Sequence, residues 1–377
     1  MTVGDSYERP TNNFNLLRLA AAWLVIYGHS WAVTGDHSTQ DILVRLFQFK
    51  ASGGMAVDAF FIISGFLIAA SVERNSVRGY VVSRALRIVP ALVVCTALCS
   101  FVLGPLVTTL DHYLTYKEVW RYFFGNVSLL TTKYFLPGVF EKLPNTAVNG
   151  PLWTLHVEAR LYVLLLALHL LKLLKPERYN PLYVLALGIG FLVFSPERMS
   201  QDAINDANTT AFFGAGVFAW LNRDKISLSW PILLGVLVVA ASGLRTDRFF
   251  IGYFLAMSYG VLFLALVPKL PVLHKHDLSY GLYLYGWPCQ QLVQSVSPGS
   301  PLHNTALSTV FAFGAAAISW RFVEKPALRL KRRFGVRSDP HTVDVSTRTD
   351  EPSATPAAKG APLPEAKGHT LGGSHLN

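Results

Sequence analysis

Long apolar runs separated by short polar breaks dominate the chain. They lie near residues 15–33, 53–71, 88–108, 152–174, 182–195, 209–222, 229–243, 249–267, 278–297 and 304–322. A helix rising about 1.5 Å per residue needs about 20 residues to cross a hydrocarbon core about 30 Å thick. Several of the runs reach that length, while others are short or broken by Gly and Pro. The pattern predicts an all-α, polytopic membrane helix bundle of about ten transmembrane helices around a central cavity, occupying residues 15–335. Residues 1–14 are polar and read as a cytoplasmic segment. The run that follows continues to Val33 without an Ala-x-Ala site, so it is expected to be retained as a first helix. The connection 109–150 mixes aromatic stretches with Pro137, Gly138 and Pro144 and fits an outer cap or a re-entrant segment. Residues 336–377 turn to Pro, Ala, Thr, Ser, Lys and Gly, which predicts a disordered cytoplasmic tail.

Composition sharpens this picture. With 51% hydrophobic and 15% charged residues, the chain lacks the charge that a water-soluble surface needs. The net charge of +10 does not point to nucleic acid, because the basic residues cluster between apolar runs instead of lining one face. Alternate loops hold Arg74 and Arg78, then Lys172, Lys175 and Arg178, then Arg223 and Lys225, then Lys269 and Lys275, then Lys325 to Arg333. By the positive-inside bias these loops and both termini are cytoplasmic, in what reads as a bacterial inner membrane. Cys95, Cys99 and Cys289 lie in apolar runs without metal-ligand spacing, so neither a disulfide framework nor a metal site is expected.

Ionisable residues inside the apolar runs are the candidate chemistry, since each is costly at membrane depth unless it meets a partner or a polar cavity. Arg18 and His29 are eleven residues apart, which puts them on one helix face and separates them by about 16 Å. A snorkelling arginine and a packed histidine are the plainer alternative. Arg84 and Arg87 share a face at i and i+3, suited either to clasping phosphates or to anchoring at the inner surface. Asp58 stands near the start of the second run, as a binder of hydroxyls or a helix cap, and Glu158 near the outer start of the fourth.

These residues fall in segments that together resemble the membrane acyltransferase 3 family, which O-acylates extracytoplasmic sugars. Arg18 and His29 are similar to its opening motif, and Gly54-Met55-Ala56-Val57-Asp58-Ala59-Phe60-Phe61 to its second-helix signature. Arg84 and Arg87 before Ile88 and Pro90 resemble its inner-loop motif. Asn149-Gly150-Pro151-Leu152-Trp153-Thr154-Leu155-His156-Val157-Glu158, Leu278-Ser279-Tyr280-Gly281-Leu282-Tyr283 and Phe322-Val323-Glu324-Lys325-Pro326 complete the ordered set. Gly286 stands where many relatives carry a histidine, and the chain resembles the family's standalone members, for which no fused esterase-like domain is expected after the last run.

The resemblance implies an O-acyltransferase moving an acyl group, acetyl by expectation, from cytoplasmic acetyl-CoA or another acyl-CoA to a glycan or glycolipid hydroxyl, with no metal. His29 is the candidate general base, because neutral imidazole titrates near neutrality and a desolvated site keeps it unprotonated. Glu158, expected at a similar depth, would orient that imidazole or bind a sugar hydroxyl. Arg18, Arg84 and Arg87 are the candidate coenzyme anchors, and Asp58 and Trp153 are assigned to the acceptor. Membrane lipids are the surrounding partner, and a homo-oligomer is compatible with the pattern. A secondary transporter or flippase is the main rival; a polyprenyl-dependent glycosyltransferase using Asp36 or Asp41 is a weaker one.

Overall fold

Helices form where the apolar runs predict them, and their ends carry recognisable caps. The protein's structure, a computed structural model, describes residues 1–9, 11–193, 198–246, 249–270 and 277–334; the predicted tail at 336–377 lies outside them. Helix α1 (Val3–Tyr7) is closed by a reciprocal Thr2 and Asp5 capping box, and α2 (Phe14–Thr34) stops at Gly35 in the left-handed region. Asp41 caps α3 (Ile42–Phe47); α4 (Ser52–Arg74) follows. Ser76 caps α5 (Val77–Leu98), which runs through a π-helical turn at Cys99–Leu103 into α6 (Gly104–Val107). Next come α7 (Lys117–Val127), α8 (Trp153–Leu170), α9 (Pro176–Val193), α10 (Gln201–Leu221), α11 (Trp230–Ser242), α12 (Phe249–Leu266) and α13 (Ser279–Val296). Ser300 caps α14 (Pro301–Ser319), which leads through a second π-helical turn to α15 (Lys325–Arg329).

A helix therefore occupies each of the ten predicted runs, but among the described residues six segments are long and apolar enough to cross a membrane: Phe14–Thr34, Ser52–Arg74, Val77–Val107, Gly150–Leu170, Phe249–Leu266 and Pro301–Arg329. The shorter α11 is apolar over 13 residues. Helices α9, α10 and α13 carry too many polar residues to qualify, with Asp202, Asp206 and Asn208 in α10 and Gln290, Gln291 and Gln294 in α13.

Helix α4 is the axis of the bundle. Its apolar window is 83% buried, as expected of a helix that is hydrophobic on every side. It packs against α10 at backbone contact: a Cβ on Gly65 would lie 2.0 Å from the Phe213 carbonyl oxygen, and one on Gly216 would lie 2.2 Å from that of Ile62. Small residues permit such approach where lipid supplies no hydrophobic drive between helices. Helix α2 meets α4 the same way, since a Cβ on Gly28 would come 2.3 Å from the Gly53 nitrogen. Helix α13 lies against α2 and α14, with Gly286 facing Ile26.

The basic loops gather at one end. Val3 and Gly4 donate backbone hydrogen bonds to Ile226 and Arg223, Asn13 donates to the carbonyls of Leu264 and Pro268, and Asn180 pairs with Asn222. Arg74 lies over the Tyr7 and Trp220 rings. At the other end, the connection after α6 forms the amphipathic α7 and then folds inwards: Leu136, Val139, Phe140, Ala147 and Val148 are all buried. A groove of about 220 Å³ opens between α5, α6 and α13, lined by Cys95, Leu98, Cys99, Tyr285, Cys289 and Leu292. Exposed Leu98 and Leu292 at its rim put it on the flank, so it is not the central cavity that the sequence predicts.

Candidate active site

Among the described residues, two of the buried polar regions lie about 16 Å apart along α2. Nearer the basic end, Arg18 from α2, Arg87 from α5 and Asp277, just before α13, form one cluster. The Asp277 carboxylate takes a 2.6 Å contact from Arg87 and lies 3.8 Å from Arg18. The Ser279 hydroxyl donates to it at 2.5 Å, and Asn15 accepts from Arg18 at 2.8 Å. Burial alone would raise the Asp277 pKa; the Arg87 and Arg18 guanidiniums and the Ser279 hydroxyl overcome it and hold the carboxyl well below its usual range. Arg87 also lies over the Tyr280 ring and 4.0 Å from Glu324, which accepts from Ser319.

Arg84 is differently placed. Among the described residues it has no carboxylate partner; its guanidinium donates to Ser83 at 3.0 Å. The Nε atoms of both Arg84 and Arg18 are buried with no hydrogen-bond partner. Two guanidiniums thus keep donors in hand, the property an anion site needs.

The position of Glu158 corrects the sequence reading. It accepts from Ser64 at 3.0 Å and from Tyr162, and makes no hydrogen bond with His29. Gly53 packs beside Gly28 and His29, and Ser64 lies eleven residues further along α4, so Glu158 is about 16 Å closer to the basic end. The reason is the inward-folded segment. Asn149 donates to the Leu284 carbonyl at 3.0 Å and Gly150 lies against the Trp287 ring, so α8 starts midway through the bundle and carries Glu158 to the level of the arginines.

His29 occupies the second region. Its ring meets Trp287 edge to face at 4.9 Å, and its Nδ1 is buried without a partner. Trp287 donates to the Ala147 carbonyl at 2.8 Å, which fixes the indole beside the imidazole.

Asp58 is fully buried and spent. Lys50 contacts both its oxygens at 2.8 Å, Asn208 donates at 2.6 Å and Tyr253 at 2.6 Å. The capping alternative does not fit, since Ala51 holds the N-cap position of α4; the Asp58 oxygens here are taken by protein groups. Trp153 begins α8, half-buried against the core. Asp41 accepts from the Leu43 and Ser52 amides and the Ser52 hydroxyl. Asp36 is tied to Ser38 and Thr39, whose hydrogen bonds lower its pKa to about 2. Asp36 thus serves its own turn, while Asp41 ties the start of α3 to the start of α4. Among the described residues, no group of three His, Cys, Asp or Glu side chains could hold a metal.

Sequence reasoning missed Asp277, Ser64 and Tyr162 as site residues. Asp277 had one signal: a carboxylate two residues ahead of a helix, able to answer basic residues grouped at the same end.

Apolar helices of membrane-crossing length, with an arginine cluster and a separate buried histidine inside the bundle, define a membrane-type protein with candidate chemistry in its interior. Comparison with known proteins makes the class definite: residues 11–323 match the acyltransferase 3 family, described as "Acyltransferase domain", and the chain belongs to it. It is similar to the O-acetyl transferase of Shigella phage Sf6, at 27% identity over 88% of this chain and 98% of that protein. It is also similar to nodulation protein 10 of Rhizobium leguminosarum bv. viciae, at 27% over 89% and 99%. The O-acetyltransferase OatA of Staphylococcus aureus matches at 25% over 74% of this chain and 53% of its own length. No solved structure matches.

Proposed function

We propose that this protein transfers an acyl group, acetyl by preference, from a cytoplasmic coenzyme A thioester to a hydroxyl of an extracytoplasmic glycan or glycolipid, with the basic end facing the cytoplasm. The observation that carries the reading is the pairing of two unfilled sites along α2, the first shared with α5. Arg18 and Arg84 present unpartnered guanidinium donors towards the basic end, and His29 presents an unpartnered ring nitrogen about 16 Å beyond. The first suits phosphate groups; the second suits a hydroxyl proton. The names of the Shigella phage and Staphylococcus relatives support acetyl as the group moved.

In the reaction the acceptor oxygen attacks the thioester carbonyl carbon while its proton passes to His29. The carbon–sulfur bond breaks, the proton returns to the departing thiolate, and coenzyme A leaves from the basic end. The Glu158, Ser64 and Tyr162 group lies with the arginines, so Glu158 acts on the donor and does not orient the imidazole.

The test is deletion of the gene, measurement of O-acyl groups on surface glycans, and rescue. Wild type restores acylation, and His29→Ala at equal protein level restores none. Glu158→Gln raises the KM for acyl-CoA in membranes and leaves that for acceptor in place. Rescue by His29→Ala removes the base assignment.

A further inference from the structure

Beyond His29, α13 carries glutamines where a membrane helix ordinarily carries aliphatic side chains. Gln290 and Gln291 are fully buried and Gln294 nearly so. From Trp287, residues 291 and 294 follow at i+4 and i+7, so the indole beside His29 and two amides share one face. The amide nitrogen of Gln291 is used, donating to the carbonyls of Asn145 and Ala147 at 2.7 and 2.6 Å. Its oxygen is not: the Oε1 atoms of Gln291 and Gln294 and the Oδ1 of Asn149 are all buried without a hydrogen-bond partner. Asn149, fully buried, lies at the level of Leu284, about 10 Å further in along α13 than Gln291.

Buried oxygens left unpaired forfeit their hydration with nothing in return, so a native protein seldom sets two on one helix face unless a ligand completes them. What these atoms ask for is chemically narrow. The two glutamine oxygens are neutral acceptors, which take hydroxyl donors and turn away phosphate and carboxylate, so they do not suit the coenzyme's charged end. Gln291 and Gln294 differ by a rise of about 4.5 Å, within reach of one sugar ring.

We propose that Gln291 and Gln294 form the acceptor subsite, binding a neutral, hydroxyl-rich ligand of the sugar class through donation to their amide oxygens and leading one hydroxyl to His29. The subsite rests on the acyltransfer reading and supplies the side of it that Asp58 does not. The segment 145–147, held by Gln291 and Trp287, forms the wall of this subsite.

The experiment uses full-length protein in nanodiscs, radiolabelled acetyl-CoA, and surface glycan extracted from the gene-deleted strain as acceptor. Gln294→Met removes an oxygen that has no hydrogen-bond partner among the described residues, and is expected to raise the acceptor KM about tenfold, the effect of one lost hydrogen bond, with the acetyl-CoA KM unchanged. Gln291→Met is expected to do the same and to loosen the 145–147 segment, so Gln294→Met decides the matter should the first fold poorly. An unchanged acceptor KM in a folded Gln294→Met protein overturns the subsite while leaving acyltransfer intact. No label transfer by the wild type, with glycan bearing free hydroxyls, overturns the acyltransfer reading and the subsite together.

Discussion

Asp277→Asn tests whether one carboxylate holds the arginine cluster together. At an effective dielectric constant of about 20, a charge pair at the observed 2.6 Å is worth roughly 6 kcal/mol and one at 3.8 Å roughly 4 kcal/mol, before desolvation is charged against them. The asparagine removes both attractions and leaves Arg87 and Arg18 partly buried without their main counter-charge, for which a net loss of about 3–5 kcal/mol is expected. Asparagine still accepts from Ser279, so the loss is electrostatic in origin. The sign with pH follows from the lowered carboxyl. Its contribution is complete above the unfolded value of about 3.9 and fades only as pH falls through the lower folded value. The gap between wild type and variant is therefore flat from about pH 5 to 8. The assay is thermal unfolding of purified protein in detergent, with a melting point lowered by on the order of 10 °C. A second arm adds Arg87→Gln, and the double variant loses less than the sum of the singles because the stranded guanidinium is gone. An Asp277→Asn protein that melts within about 2 °C of wild type, or strict additivity in the cycle, refutes the reasoning.

Other outcomes follow from packing. Gly65→Ala places a methyl group 2.0 Å from the Phe213 carbonyl, forces α4 from α10 and should lower the melting point clearly; Gly188→Ala, with nothing within 4 Å, should hold or raise it, since alanine favours helix by about 1 kcal/mol. Asp58→Ala strands Lys50, Asn208 and Tyr253 and should cost about 3–5 kcal/mol, seen as lost expression with an unaltered acceptor KM in whatever protein folds; a well-expressed variant with a raised acceptor KM would return Asp58 to the substrate.

The chain disclosed its helices and their charged residues better than their levels. Arg18, Arg84, Arg87 and His29 were legible because ionisable groups stand out against apolar runs and helical geometry fixes their spacing. Glu158 was misplaced because a linear reading starts each crossing at the membrane surface, whereas Asn149 and Gly150 are carried inside by contacts to Leu284 and Trp287 from the far end of the chain. Asp58 looked available because its partners Lys50, Asn208 and Tyr253 come from three separate segments. The orphaned glutamine oxygens were beyond the sequence altogether, since satisfaction of a polar atom depends on neighbours it does not name.

The Gly65 and Gly216 contacts bear on how the molecule moves. Where two helices touch main chain to main chain, no rotamer stands between them to yield, and close-packed interiors transmit strain instead of absorbing it. Asp58 pins the same pair further along through Asn208, so α4 and α10 behave as a single beam. Any opening that admits one substrate or releases the other must then be made by the helices around that beam, with Glu158 on α8 resting upon it through Ser64.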